Sequence, residues 1–297
     1  MKIFISAFMI FSFPWIVFAK LQVATSTPDL AAIVKKVGQD HVDVFSIAKG
    51  TQDPHQIEAK PSFMIKLRRV DLVVEHGLDL ESAWMNPLIQ GSRNLKLASQ
   101  KAVLELAAEL VPLEVPKENL TRAQGDVHPG GNPHFQLDPI RIGQASLLIA
   151  KRLGEIDPSQ KEFYLKNAES FNQHLHEKAN LWKERLQKTG ITEVVTYHKT
   201  FVYFCERFQI QCLVQLEPKP GIPPTANHLL SVIDQMKKRK LHVVLIENIY
   251  SDSIKSKLEQ AVSAKVAHVP VYVEGEPEIT TNEQLIERLV SAIESLK

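Results

Sequence analysis

Cysteine is nearly absent from this sequence, and so is any excess of charge. Only Cys205 and Cys212 occur. Lys plus Arg, 35, almost cancels Asp plus Glu, 34. Binding to nucleic acid needs clustered cations that displace counterions, and no such field exists here. After the first 19 residues, no stretch approaches the roughly 20 apolar residues of a membrane span. The chain has no His-Glu-x-x-His helix and no Gly-x-Ser-x-Gly elbow, two common marks of hydrolases. What remains open is a small ligand or a protein partner.

The chain begins Met1-Lys2, and Ile3 to Ala19 is almost wholly apolar, ending Val17-Phe18-Ala19. A charged start, a short apolar run and a small residue at the end read as a secretory signal peptide, residues 1–19. The run is short for a transmembrane anchor and contains Pro14. No cysteine stands near Ala19, which argues against a lipid anchor through an N-terminal cysteine. The mature protein is expected to be soluble and periplasmic. About 280 residues remain after cleavage, comfortable for two domains. In an oxidising compartment two cysteines invite a disulfide, but spacing alone leaves a bridge and two buried thiols equally open.

The mature part alternates β runs with amphipathic helical stretches. Leu21 to Thr25 reads as a strand; Thr27-Pro28 opens a helix that Gly38 stops. Val42 to Ala48 alternates as a strand should, Asp71 to Glu75 is a strand, and Ser62 to Arg69 and Glu81 to Ile89 are helices. Helices follow over Asp138 to Leu153 and, capped at Asp157-Pro158-Ser159, over Gln160 to Gln187. The latter has dense charge and no Pro or Gly inside, so it is either a solvated surface helix or a rigid strut between lobes. Strands at Glu193 to Tyr197, Cys212 to Leu216, Val243 to Glu247 and Val266 to Val273 then alternate with helices to Leu296. This pattern is α/β: two lobes, each a mostly parallel sheet flanked by helices, joined by one long helix, with a ligand in the cleft. The expected boundaries are 20–156 for the N-terminal lobe, 157–188 for the linking helix and 189–297 for the C-terminal lobe.

Eleven histidines are many for this length, and several sit in loops. His55 follows the strand Val42 to Ala48 and is fixed by Pro54. That is the C-terminal end of a parallel strand, where open α/β sheets bind ligands. His128 and His134 lie in the Gly/Pro-rich loop Gly125 to Pro139, which has no packing reason to carry histidine. Six residues separate them, so one of the two is expected to face a site. His198 stands at the end of the strand Glu193 to Tyr197. The loop Glu217 to Thr225 is rigid architecture, with Glu217 a candidate acceptor behind the site. Glu274 follows the strand Val266 to Val273, with Glu276 beside it. His55 and His134 from one lobe, with His198 and Glu274 from the other, would close a tetrahedral metal site. Three imidazoles and a carboxylate suit zinc, whereas manganese prefers more oxygen.

Thr51 to Phe63, Gly125 to Pro139, Thr196 to Phe208 and Glu217 to Thr225 together resemble the zinc- and manganese-specific solute-binding proteins of ABC importers. The resemblance implies His55, His134 and His198 as metal ligands and a carboxylate in the last quarter completing the site. It implies Zn2+ as cargo, with Mn2+ the alternative, and a membrane permease as partner. Manganese relatives commonly carry glutamate at the position of His198. Two departures stand out. The family's last carboxylate is often an aspartate, whereas Val273-Glu274-Gly275-Glu276 offers glutamates; and there is no long histidine-rich loop. A monomer without enzymatic activity is expected. The fourth ligand stays open among Glu274, Glu276, Glu247 and water, and the alternative functions are an exported zinc hydrolase or a surface adhesin on the same scaffold.

Overall fold

The computed structural model describes residues 20–117, 125, 127–219 and 221–297. The signal-peptide segment lies outside them. Two sheets of four parallel strands dominate. In the first, β1 (Leu21–Thr25), β2 (Val42–Ser46), β3 (Leu72–Glu75) and β4 (Val103–Glu105) lie in the order β2-β1-β3-β4. In the second, β5 (Glu193–Thr196), β6 (Gln211–Gln215), β7 (Val243–Glu247) and β8 (Lys265–Val269) lie in the order β6-β5-β7-β8. Each sheet therefore repeats the same arrangement, with its first strand inside and a reversal of strand order beside it. Parallel strands send their loops to one end, and the reversal opens a crevice there.

Side chains of successive strand residues point to opposite faces, and the core divides accordingly. Val23, Leu72 and Val74 enter the main cluster, while Ala24 and Val73 pack on α2 (Pro61–Leu67) and α3 (Ser82–Ser92). In the second sheet Val194 joins the main cluster, whereas Val195 and Val244 face α7 (Ala226–Arg239) and α8 (Lys255–Val262). The main cluster runs without a break from one sheet to the other. It is built on α1 (Pro28–Gly38), α4 (Pro139–Ile156), α5 (Lys161–Thr189) and α9 (Asn282–Ser295).

The long helix α5 is neither a bare strut nor wholly solvated. Tyr164, Ala168, Phe171, Leu175, Ala179, Trp182 and Leu186 form a buried stripe at helical spacing under its charged outer face. Helix α9 returns from the second lobe onto α1, α4 and α5, and its first residue Asn282 donates through Nδ2 to the Asp29 carbonyl at 3.2 Å. A capping box of Thr281 and Gln284 fixes where α9 starts.

One strand is added, one expected strand is shortened and one open alternative is closed. Strand β4 was not anticipated, because three residues are too few to show alternation. The run Val266 to Val273 does not stay a strand: β8 ends at Val269, and Pro270, which has no N–H to offer the ladder, turns the chain away. Glu274 thus stands five residues beyond the last strand rather than at its end. Cys205 and Cys212 are joined as a disulfide between α6 (Val202–Phe208) and β6.

The bridge spans a sequence separation of 7. A loop that short removes about 2–3 kcal/mol of chain entropy from the unfolded state. Urea unfolding of reduced, alkylated protein should therefore give a lower midpoint than unfolding of the oxidised protein, by about that free energy. Coincident curves would contradict a bridge that contributes to stability.

Candidate metal centre

The loops at the C-terminal ends of both sheets meet over the crevice. After β2 the chain makes one turn of 3-10 helix, Pro54–Gln56, capped by Asp53. Asp53 Oδ1 accepts from the His55 backbone N–H at 3.0 Å and lies 2.8 Å from His55 Nδ1. Trp84 Nε1 donates to the Pro54 carbonyl at 2.8 Å and pins the loop to α3. With Asp53 on Nδ1, the His55 Nε2 lone pair faces the crevice. Burial pushes the Asp53 carboxyl up, but the hydrogen bond and charge of His55 outweigh it, so the net shift is downward.

His134 arrives from the loop before α4. Its backbone N–H donates to Asn132 Oδ1 at 2.9 Å, and Asn132 Nδ2 in turn donates to the Lys199 carbonyl at 2.9 Å across the crevice. Both ring nitrogens of His134 are buried and lack a hydrogen-bond partner among the described residues. Such a group is costly unless something else binds it. Burial, then the neighbouring charges of His55 and His198, hold its pKa well below the ordinary value. Behind it, His76 ring Nδ1 lies 3.1 Å from the Pro133 carbonyl, and Nε2 lies 3.3 Å from Asp29 and 3.0 Å from Thr27 Oγ1. Burial alone would lower the His76 pKa; Asp29 reverses that and raises it. His76 ends a parallel strand as His198 does, yet it serves as a buried brace for the peptide preceding His134.

His198 comes from the second lobe, two residues after β5. Its Nδ1 lies 2.7 Å from Glu217 Oε2, and its backbone N–H donates to Glu247 Oε1 at 3.3 Å. Glu217 stands where the sequence suggested an acceptor. Glu247 is fully buried, and desolvation pushes its carboxyl up to about 8.

One ring nitrogen from each of His55, His134 and His198 lies within 4.8 Å of the other two. Their ring centroids are 5.2, 5.4 and 5.3 Å apart. Glu274 is not part of this group. It is exposed, its φ is +63°, and its N–H donates to the Ile279 carbonyl at 2.8 Å. Glu276 is held by Arg288 at 2.9 and 3.1 Å. His128, which the spacing set apart from His134, stands beside the group: its Nε2 is 3.3 Å from His55 Nε2. The turn His128 to Gly131 folds the loop back and brings the two ring centroids to 6.5 Å. Asp53 and His76 were not singled out in the sequence either. The adjoining cavity, lined by His128, His134, His198 and the Glu114–Lys199 pair, measures about 110 Å3. Organic ligands usually occupy ~300–1,000 Å3, so this space suits an ion.

Comparison with known proteins decides the family. The model of the family described as "ZnuA: Zinc-uptake complex component A periplasmic" matches residues 23–296. The chain belongs to that family. Its members are substrate-binding proteins of metal ABC transporters, not enzymes. The manganese ABC transporter substrate-binding lipoprotein PsaA of Streptococcus pneumoniae is 24% identical over 260 residues, 86% of this chain and 79% of that protein. A putative metal-binding protein of Treponema pallidum is 23% identical over 270 residues, 90% and 84% of the two chains. Among solved structures, a ZnuA crystal structure matches with a TM-score of 0.79 at 23% identity, covering 94% of this chain and 99% of that one. A manganese-bound periplasmic metal-binding protein mutant from Candidatus Liberibacter asiaticus matches at 0.77 and 21% identity, covering 94% and 100%. These likenesses establish the fold shared by this ZnuA-family chain.

Histidines kept neutral in the folded chain are protonated in the unfolded chain below about pH 6.5. The unfolded state then binds more protons, so metal-free stability falls as pH drops. For His128, whose pKa burial and His55 lower to about 4, the loss runs from about pH 6.5 down to that value. For His134 it continues lower. Glu247 acts in the opposite sense between about pH 4.5 and 8, so a variant must isolate the histidine contribution. Between pH 6.5 and 4.5, metal-free His134→Gln should lose stability less steeply than the parent, by about 1.4 kcal/mol per pH unit. Equal slopes in urea titrations would contradict a neutral, buried His134.

Proposed function

We propose that this protein captures one zinc ion outside the cytoplasm, as a monomer, and delivers it to the membrane permease of an ABC importer. The observation that carries this reading is the convergence of His55, His134 and His198 from both lobes within 4.8 Å. Neutral imidazole suits zinc, whereas manganese favours oxygen-rich sites, and affinity for a given nitrogen site rises from manganese to zinc. Asp53 and Glu217 hold the rings of His55 and His198 by Nδ1, which sets the tautomer and makes each Nε2 a better donor. The family description names zinc uptake and the periplasm, while PsaA is named for manganese; the histidine at position 198 favours the former. Export rests on the apolar leader, residues 1–19, and on the exported character of the relatives.

Protein purified from the periplasm without chelator should carry about one zinc per chain, and zinc should raise the melting temperature in a chelator-reversible way. In calorimetric titration, His55→Ala, His134→Ala and His198→Ala should each weaken zinc by more than the ~10–100-fold typical of losing an outer-shell partner. His174→Ala and His176→Ala, exposed on α5, should bind like the parent. Manganese as the metal recovered from the periplasm would overturn the zinc reading. Unaltered binding in all three histidine variants would overturn the site.

A further inference from the structure

His128 is the one histidine beside this group that neither the spacing of the sequence nor the family pattern accounts for. Its ring centroid is 5.4 Å from that of His55, equal to the spacing between His55 and His198. Its Nε2 lies 3.3 Å from His55 Nε2. Zinc–nitrogen bonds of 2.0–2.1 Å place tetrahedral ligand atoms about 3.3–3.4 Å apart, so the two nitrogens stand at the separation of two ligands on one ion.

The two nitrogens are also within hydrogen-bond distance, and the tautomers decide whether either of them carries a proton. Asp53 takes the single N–H of neutral His55 at Nδ1, so His55 Nε2 presents a lone pair. In the tautomers that leave both Nε2 atoms unprotonated, two lone pairs 3.3 Å apart repel unless a cation lies between them. The loop is built to hold the ring there. Pro129 occupies the second position of a turn in which the Gly131 N–H donates to the His128 carbonyl at 3.1 Å. A Cβ on Gly130 would meet Leu78 at 2.5 Å, and Gly131 has φ +110° with the Leu113 carbonyl 2.8 Å from where its Cβ would stand.

Charge also fits. Four neutral imidazoles leave the ion's two positive charges uncancelled among its direct ligands. Asp53 and Glu217, hydrogen-bonded to the rings of His55 and His198, supply two negative charges directly behind them. No carboxylate is then required on the metal, which agrees with the exposed place of Glu274 and the Arg288-bound Glu276.

His128 stands beside the three nitrogens that lie within 4.8 Å of one another, its ring centroid 6.5 Å from that of His134, so its ring has to move inward to join them. We propose that it does so on metal binding and is the fourth direct ligand, so that the ion sits among four histidines, three from the first lobe and His198 from the second. This rests on the reading that His55, His134 and His198 hold the ion. A carboxylate is replaced by imidazole, which biases the site further against manganese.

The test measures zinc affinity by chelator competition, together with the visible spectrum of the Co2+-loaded full-length mature protein. His128→Ala should weaken zinc by more than the ~10–100-fold typical of losing an outer-shell partner, while keeping one ion per chain. It should also lower the strong tetrahedral cobalt bands, as water enters and the coordination number rises. Glu274→Ala should match the parent in both readouts. Should His128→Ala fold poorly by its metal-free melting curve, His128→Gln serves the same purpose. Unchanged affinity and cobalt bands in the His128 variants, with zinc lost in His134→Ala, would overturn the fourth-ligand assignment and leave the three-histidine site intact. Zinc retained in His134→Ala would instead remove the reading beneath it. A loss of affinity with cobalt bands unchanged would assign His128 to the loop's shape and overturn direct ligation.

Discussion

Everything in this molecule depends on keeping several imidazoles neutral and close together without water to separate them. Three ring centroids lie 5.2, 5.4 and 5.3 Å apart, and His134 is buried with no hydrogen-bond partner at either nitrogen among the described residues. Such a group is unfavourable in isolation, since each buried polar atom has given up its hydration. The surroundings compensate in a specific way. Asp53 and Glu217 each fix a proton on the far nitrogen of a ring, and Asn132 and His76 brace the backbone around His134. The lone pairs are thereby oriented before any ion arrives, and the stored cost becomes affinity when a cation enters. This resembles the way strained or unsatisfied groups gather at binding sites generally.

Orientation is of use only if the lobes hold their relative positions. His55 and His134 come from one lobe and His198 from the other, and a continuous apolar cluster runs between the sheets through α4, α5 and α9. The Asn132 amide reaching the Lys199 carbonyl, and Asn282 reaching Asp29, add polar ties across the same boundary. A wide hinge opening would have to expose that core, at roughly 25 cal/mol for each Å2 of apolar surface. Release of the ion to a permease is therefore better served by small loop movements around the site.

Much of this was legible in the sequence, for reasons that can be named. His55 follows a run that alternates apolar and polar residues, His198 follows a short β-branched run, and parallel strands deliver their loops to one end. Strands β1 and β7 have the bounds that alternation and β-branched residues imply. The failures are equally physical. A run of β-branched residues continues past Pro270, so periodicity alone carried the last strand four residues too far, and Glu274 with it. Strand β4 is three residues long and owes its existence to pairing with β3, a tertiary fact. A separation of six positions between His128 and His134 implies divergence only for an extended chain; a turn through Gly130 and Gly131 reduces it. His76 carries the same signal as His198, a histidine at a strand end, yet Asp29 and Thr27 claim it for the interior. What decides between ligand and brace is the partner on the second nitrogen, which only the fold supplies.

The most direct test is a crystal structure of the mature protein grown with zinc, with diffraction recorded on both sides of the zinc absorption edge. A single anomalous peak should appear between the lobes, about 2.0–2.1 Å from a ring nitrogen of each of His55, His134 and His198. A peak bound to other residues, or a fully zinc-loaded protein with no peak among these three rings, would contradict the site.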